Sequence, residues 1–297
     1  MPIKVLTVSA LRHAAVAALA LTSLFSSALV LAQDSHRLST KPLHYAPNGN
    51  LDNAGHYLPG KAGFNLADVS SVSQLDSLGA GVKGLVWVGQ CNGADENFRK
   101  AVQPYIGHPK LFGFYLMDDP DPRGVLESGK LSIPCTPDNL KAESDWVHRQ
   151  APGAKTFIVL MNLATSKKPS FKNTYSPANS HVDLFGIDPY PCRTESPDCD
   201  YDMIDRYVAA ATSWGIPRGR MVPFYQSFGG GDWQDDYGGR YLLPTAEQTR
   251  RMLGRWRRYV TAPVFDGVYS WGSQHADAAL GSAVDLQEVF SAHNGRN

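Results

Sequence analysis

From residue 63 to residue 270 the chain repeats one unit, a short apolar run rich in β-branched and aromatic residues followed by a helical stretch. Residues 63–69, 84–88, 111–117, 155–161, 182–187, 220–225 and 265–270 read as strands. Helices are expected over 71–78, 97–105, 137–149, 202–214 and 245–259, the last opened by Thr245 with Glu247 as its capping partner. Strands that are apolar on both faces and alternate with helices imply a parallel sheet covered on each side. The length of the repeat favours an α/β fold of the (β/α)8 TIM-barrel kind. Its eighth strand would be concealed in residues 162–180 or in the polar N-terminal stretch. A doubly wound open sheet is the alternative, but no Gly-rich phosphate loop follows the first strand.

Within that rhythm, residues 111–122 (LFGFYLMDDPDP) are the most pointed segment. A buried strand stops abruptly in Asp118, Asp119, Pro120, Asp121 and Pro122. Carboxylates held at such a strand end are costly unless water or a ligand meets them. In α/β barrels that end of the strand carries the chemistry. The rival reading is that the two acids only cap the following turn. Being adjacent, they could also face opposite ways, leaving one at the rim.

The first residues read as an export leader. Lys4 and Arg12 precede an apolar run ending Val30-Leu31-Ala32, and no acid occurs before Asp34. Cleavage there would make residues 1–32 a signal peptide and Gln33 the mature start; an uncleaved anchor is the alternative. Residues 33–62, polar and without period, read as an N-terminal arm on the surface, and 63–297 as a single catalytic barrel domain. Lys and Arg number 28, as do Asp and Glu; without the two leader cations the remainder is slightly acidic. Nucleic acid is therefore not an expected partner. The expectation is a secreted or periplasmic monomer, off the membrane after cleavage, and the lack of a usable N-x-S/T sequon agrees with a bacterial source. In an exported chain, Cys91, Cys135, Cys192 and Cys199 read as two disulfides, most simply 192–199 and 91–135. A metal site is the rival, without a CxxC or a nearby His to support it.

The predicted strand ends collect one kind of chemistry: Gln90 and Asn92, Asp118 and Asp119, Asn162, Asp188 and Tyr190, Gln226, then Trp271 and Gln274. Acids and amides can hold sugar hydroxyls, and an indole can stack on a pyranose face. Two carboxylates are the minimum for cleaving a glycosidic bond. The Gly- and Asp-rich loop 229–241 could be a lid carrying Trp233, or bind calcium through Asp232, Asp235 and Asp236, although its spacing is not that of an EF-hand. His275 and Asp277 could reach the rim, but read as structural. A Ser-His-Asp mechanism lacks its GxSxG elbow. No metal or cofactor is expected.

Residues 113–121 (GFYLMDDPD), 182–191 (VDLFGIDPYP) and 267–274 (GVYSWGSQ) resemble a family of secreted glycoside-hydrolase-like TIM barrels, the first being similar to a Y-x-x-D-E-P strand end. The resemblance implies Asp119 as acid/base, Asp118 as its orienting partner and Trp271 as the floor of a sugar subsite. Tyr190, Tyr225 and Gln226 would hold hydroxyls. It also carries a departure: where such barrels place a late-strand glutamate nucleophile, this chain has Gln226, and an amide cannot serve. Asp188 is the expected second acid, with a lean towards inversion through water. The function expected is hydrolysis of a poly- or oligosaccharide. The alternatives are a non-catalytic carbohydrate-binding barrel and another carbohydrate-active enzyme, such as a lyase or transglycosylase.

Overall fold

The computed structural model describes residues 42–124, 134–234 and 238–296. Eight parallel strands close into a barrel: β1 (Leu43–Tyr45), β2 (Leu66–Val69), β3 (Lys83–Trp87), β4 (Leu111–Met117), β5 (Lys155–Val159), β6 (Leu184–Ile187), β7 (Met221–Gln226) and, after a two-residue strand β8 (Phe228–Gly229), β9 (Phe265–Tyr269). β8 pairs antiparallel with β10 (Ala278–Ala279) above the barrel. The helices that cover the strands include α1 (Val72–Ser77), α2 (Glu96–Val102), α3 (Pro137–Gln150), α4 (Pro177–Ser180), α5 (Asp202–Ser213), α6 (Ala246–Trp256) and α7 (Val284–Asn294). Together they form one (β/α)8 TIM-barrel domain. Among the described residues no helix is long and apolar enough to cross a membrane.

The concealed strand lies in the N-terminal stretch, so that stretch is not merely a surface arm. Leu43, His44 and Tyr45 pair with Phe265, Asp266 and Gly267, and this contact closes the barrel. Three residues beside prolines are too short to display an alternation, which is why the polar surroundings dominate the sequence pattern.

Alternation along each strand separates two cores. Tyr45, Leu66, Leu85, Tyr115, Phe157, Leu184, Phe224 and Phe265 fill the barrel axis. The opposite faces pack beneath the helices, among them Leu116 on β4 and Tyr225 on β7. Phe157 is the centre of the plug, with ring centroids 4.7 Å from Tyr115, 5.1 Å from Phe265 and 6.1 Å from Phe224. Gly186 makes room for it: a Cβ there would stand 2.7 Å from Val159 Cγ2 and 3.0 Å from Phe157.

Local chemistry sets the helix starts. Asp95 accepts from the Phe98 N–H, and Thr136 from the Asn139 N–H with Pro137 in the first turn. Thr245 opens α6 through a capping box, but its partner is Gln248, not Glu247. Only the third helical position reaches back to the cap backbone. The disulfides are Cys91–Cys135 and Cys192–Cys199.

Candidate active site

The strand C-termini surround a cavity of about 600 Å³. β4 builds its acidic wall. Opposite β5 the register of β4 shifts between Tyr115 and Met117, and such a bulge re-aims the residues that follow it. Asp119 then adopts the left-handed region (φ 41°), which Asp tolerates better than most residues. Both Asp118 and Asp119 line the cavity as a result. The Tyr115 hydroxyl donates to Asp118 Oδ1 at 2.5 Å. Asp121 faces elsewhere, is buried, and accepts from the Arg123 guanidinium and backbone.

Two further carboxylates complete the wall, Asp68 from β2 and Asp188 from just beyond β6. Water reaches Asp118, yet protein surrounds it on the remaining sides, so its carboxylate is poorly solvated. That burial raises its pKa, against the Tyr115 hydrogen bond. Burial also raises Asp188 well above the ordinary carboxylate range; the charge of Asp118 adds to this, while the Tyr190 side chain and the Arg193 charge oppose it. Asp68 is pushed up to about 6, mainly by burial, with the Tyr45 phenol opposing and the Asp118 charge adding. The three acids thus compete for negative charge, so each makes ionisation of the others less favourable.

Aromatic side chains form the rest of the cavity. Trp87 at the end of β3 remains 39 % exposed, and its ring meets Tyr115 edge-on at 4.8 Å. Tyr45, Tyr190, Tyr207, Trp233, Tyr241 and Tyr269 also line it. Trp233 packs on Phe228 at 4.8 Å and on Tyr241 at 5.4 Å. Its loop is pinned at both stems, by the Gly230 N–H to the Tyr241 carbonyl and the Asp232 N–H to the His275 carbonyl. Asp235 and Asp236, two of the three calcium-ligand candidates, lie outside the described residues.

Of the sequence-derived candidates, Asp118, Asp119, Asn162, Asp188, Tyr190, Trp233 and Gln274 share this cavity, whereas Gln90, Tyr225, Gln226 and Trp271 do not line it. Gln90 pairs by its backbone N–H with the Leu116 carbonyl. Tyr225 points outward, and its hydroxyl donates to Asp266. Trp271 is buried beneath the helices with Lys61 Nζ 5.2 Å from its ring centroid, so it is no sugar floor. Gln226 is fully buried. Its amide donates to the carbonyls of Cys192, Phe228 and Leu242 and accepts from the Cys192 N–H at 2.8 Å. A carboxylate could not donate to those carbonyls, so the amide at the expected nucleophile position is a structural brace between two loops. His275 packs at a tilt against Trp233, and Asp277 accepts from the Gly231 N–H; both are outside the cavity lining.

Asp68, Tyr45, Trp87, Tyr115 and Arg193 were not singled out by the sequence pattern. Asp68 had a usable signal, an acid at the penultimate position of an otherwise apolar strand. Among the described residues one group has metal-ligand chemistry, His44, Asp266 and His293. Both histidines instead bond to the carboxylate, His44 Nδ1 to Oδ1 at 2.6 Å and His293 Nε2 to Oδ2 at 2.8 Å. The group lies outside the cavity lining and ties α7 to the barrel.

The sequence matches no protein-family model and no curated protein. The architecture does match solved structures. A chitinase from Rhizomucor miehei is 13 % identical with a TM-score of 0.53, over 85 % of this chain and 99 % of that one. A catalytic domain of the Ostrinia furnacalis Group II chitinase is 12 % identical with a TM-score of 0.52, over 86 % and 97 %. A chitinase-like agglutinin from Robinia pseudoacacia is 11 % identical with a TM-score of 0.51, over 86 % and 99 %. Identities this low speak for the fold alone. What the chain shares with them is the closed eight-stranded parallel barrel.

Proposed function

We propose that the protein is an exported glycoside hydrolase acting on a poly- or oligosaccharide. The observation that carries this reading is the set of carboxylates at the ends of β4 and β6, Asp118, Asp119 and Asp188, facing one aromatic-walled cavity, with Asp118 and Asp188 raised in pKa by burial. Asp188 is the proton donor: its carboxyl, held protonated, gives its proton to the glycosidic oxygen as the bond to the anomeric carbon breaks. This reverses the role that the β4 likeness suggests for Asp119. Asp119 supplies the second carboxylate, acting on the anomeric carbon directly or through water. Asp118, tuned by Tyr115, keeps the shared proton on Asp188. The indoles of Trp87 and Trp233 stack on sugar rings, and Tyr190 and Gln274 hold hydroxyls. The basic-then-apolar sequence of residues 4–32 and the two disulfides support export.

The test is a reducing-end assay of residues 33–297 on a polysaccharide panel that includes chitin, the substrate in the names of the similar structures. Wild type releases ends, while Asp188→Asn and Asp119→Asn each lose about a hundredfold or more with the fold intact. Full activity in either variant removes that residue from the mechanism. Activity also falls as pH rises past the elevated pKa of the Asp118–Asp188 pair, because the donor proton is then lost. The second reading is a sugar-binding barrel without turnover, favoured by Gln226 serving as a brace. Binding with no release of ends by wild type would establish it.

A further inference from the structure

Hydrolysis needs two carboxylates, but the described residues of the cavity lining supply four: Asp68, Asp118, Asp119 and Asp188. Among the described residues of its lining, Arg193 is the one cationic side chain. It is already engaged, its Nε donating to the Tyr190 carbonyl at 2.8 Å and its guanidinium lying 5.1 Å from the Tyr241 ring centroid. The surplus negative charge is held between aromatic faces, where a cation is bound by ring quadrupoles as well as by carboxylates. A second feature points the same way. The Tyr45 hydroxyl is fully buried in the cavity lining with its proton facing Asp68, and no group donates a hydrogen bond to its oxygen. Its lone pair is placed to accept from an N–H of a bound ligand.

We propose that the sugar taken by this cavity carries a free, protonated amine, and that Asp68, Tyr45 and the face of Trp87 form its subsite. A de-N-acetylated amino sugar fits this chemistry. A neutral sugar would leave the carboxylates repelling one another, and a uronic acid would add to that repulsion. An ammonium group offsets it, making three N–H donors available to Asp68 and Tyr45. Asp68 would then be a specificity residue, separate from proton transfer at Asp188. This inference rests on the carbohydrate reading of the site but not on turnover.

The experiment is calorimetric titration near pH 6 with glucosamine and galactosamine oligomers, each beside its N-acetylated and neutral counterpart, with cleavage products followed in parallel. Wild type is expected to prefer the amine forms by about tenfold or more, the worth of one ion pair in a partly desolvated site. Asp68→Asn is expected to bring that preference close to unity. Should this variant not fold, raising the salt on wild type must erode the preference instead. No preference for any amine form, or a preference untouched by both Asp68→Asn and salt, overturns the inference. Cleavage without amine preference would leave the hydrolase reading standing while this one falls. Amine preference without cleavage would do the reverse.

Discussion

At the residue scale, buried polar groups show which side chains brace the site and which act in it. Glu143 on α3 is fully buried, and its Oε1 accepts from the Gly93 N–H at 3.1 Å, behind the loop that begins at Cys91. Burial pushes its pKa up to about 9, against the backbone hydrogen bonds. A carboxyl raised in the folded state costs stability once the unfolded chain can ionise it. Wild type should therefore lose stability as pH rises from the ordinary glutamate pKa towards 9. Glu143→Gln should remove that slope, and thermal melts at acid and alkaline pH would show it as a higher Tm on the alkaline side alone. Gln226 gives the opposite case. Gln226→Glu sets a carboxylate against three carbonyls and should cost about 2 to 4 kcal/mol in denaturant titration.

At the element scale, the last helix is held by a polar latch. Asp266 on β9 receives His44 from β1, His293 from α7 and the hydroxyl of Tyr225 from β7. Burial alone would raise its pKa, but the hydrogen bonds from His293 and His44 bring it down to about 2. The stability it contributes is present above the usual carboxylate pKa and is lost as pH falls towards 2. Asp266→Asn should weaken the acid limb of the stability profile and loosen α7, read as faster amide exchange along Val284–Asn294. The strand 111–117 and its acidic end were legible because a buried run followed by Asp and Pro has few alternatives. The inward and outward faces of Tyr225 and Trp271 were not, because side-chain direction at a strand end depends on bulges and turns that neighbouring strands impose.

At the scale of the whole molecule, the aromatic plug around Phe157 supports the floor on which the acids stand. Phe157→Ala should cost about 3 to 5 kcal/mol by leaving a cavity that rigid neighbouring strands cannot fill. It should also blunt activity, since Tyr115 packs on that ring while its hydroxyl donates to Asp118; paired melts and assays would test the coupling. The sequence by itself determined the alternation of strand and helix and the acids at the ends of β4 and β6. Both are written in local composition and short spacing. The cysteine pairing was only the simplest of three connectivities until the structure fixed it. Tertiary structure alone decided that Leu43–Tyr45 closes the barrel, that Asp68 joins the acidic wall, and that Gln226 braces loops and does not touch the cavity. Those outcomes depend on which strands become neighbours when the sheet curves shut, and strand-to-strand distance across a barrel leaves no period in the chain.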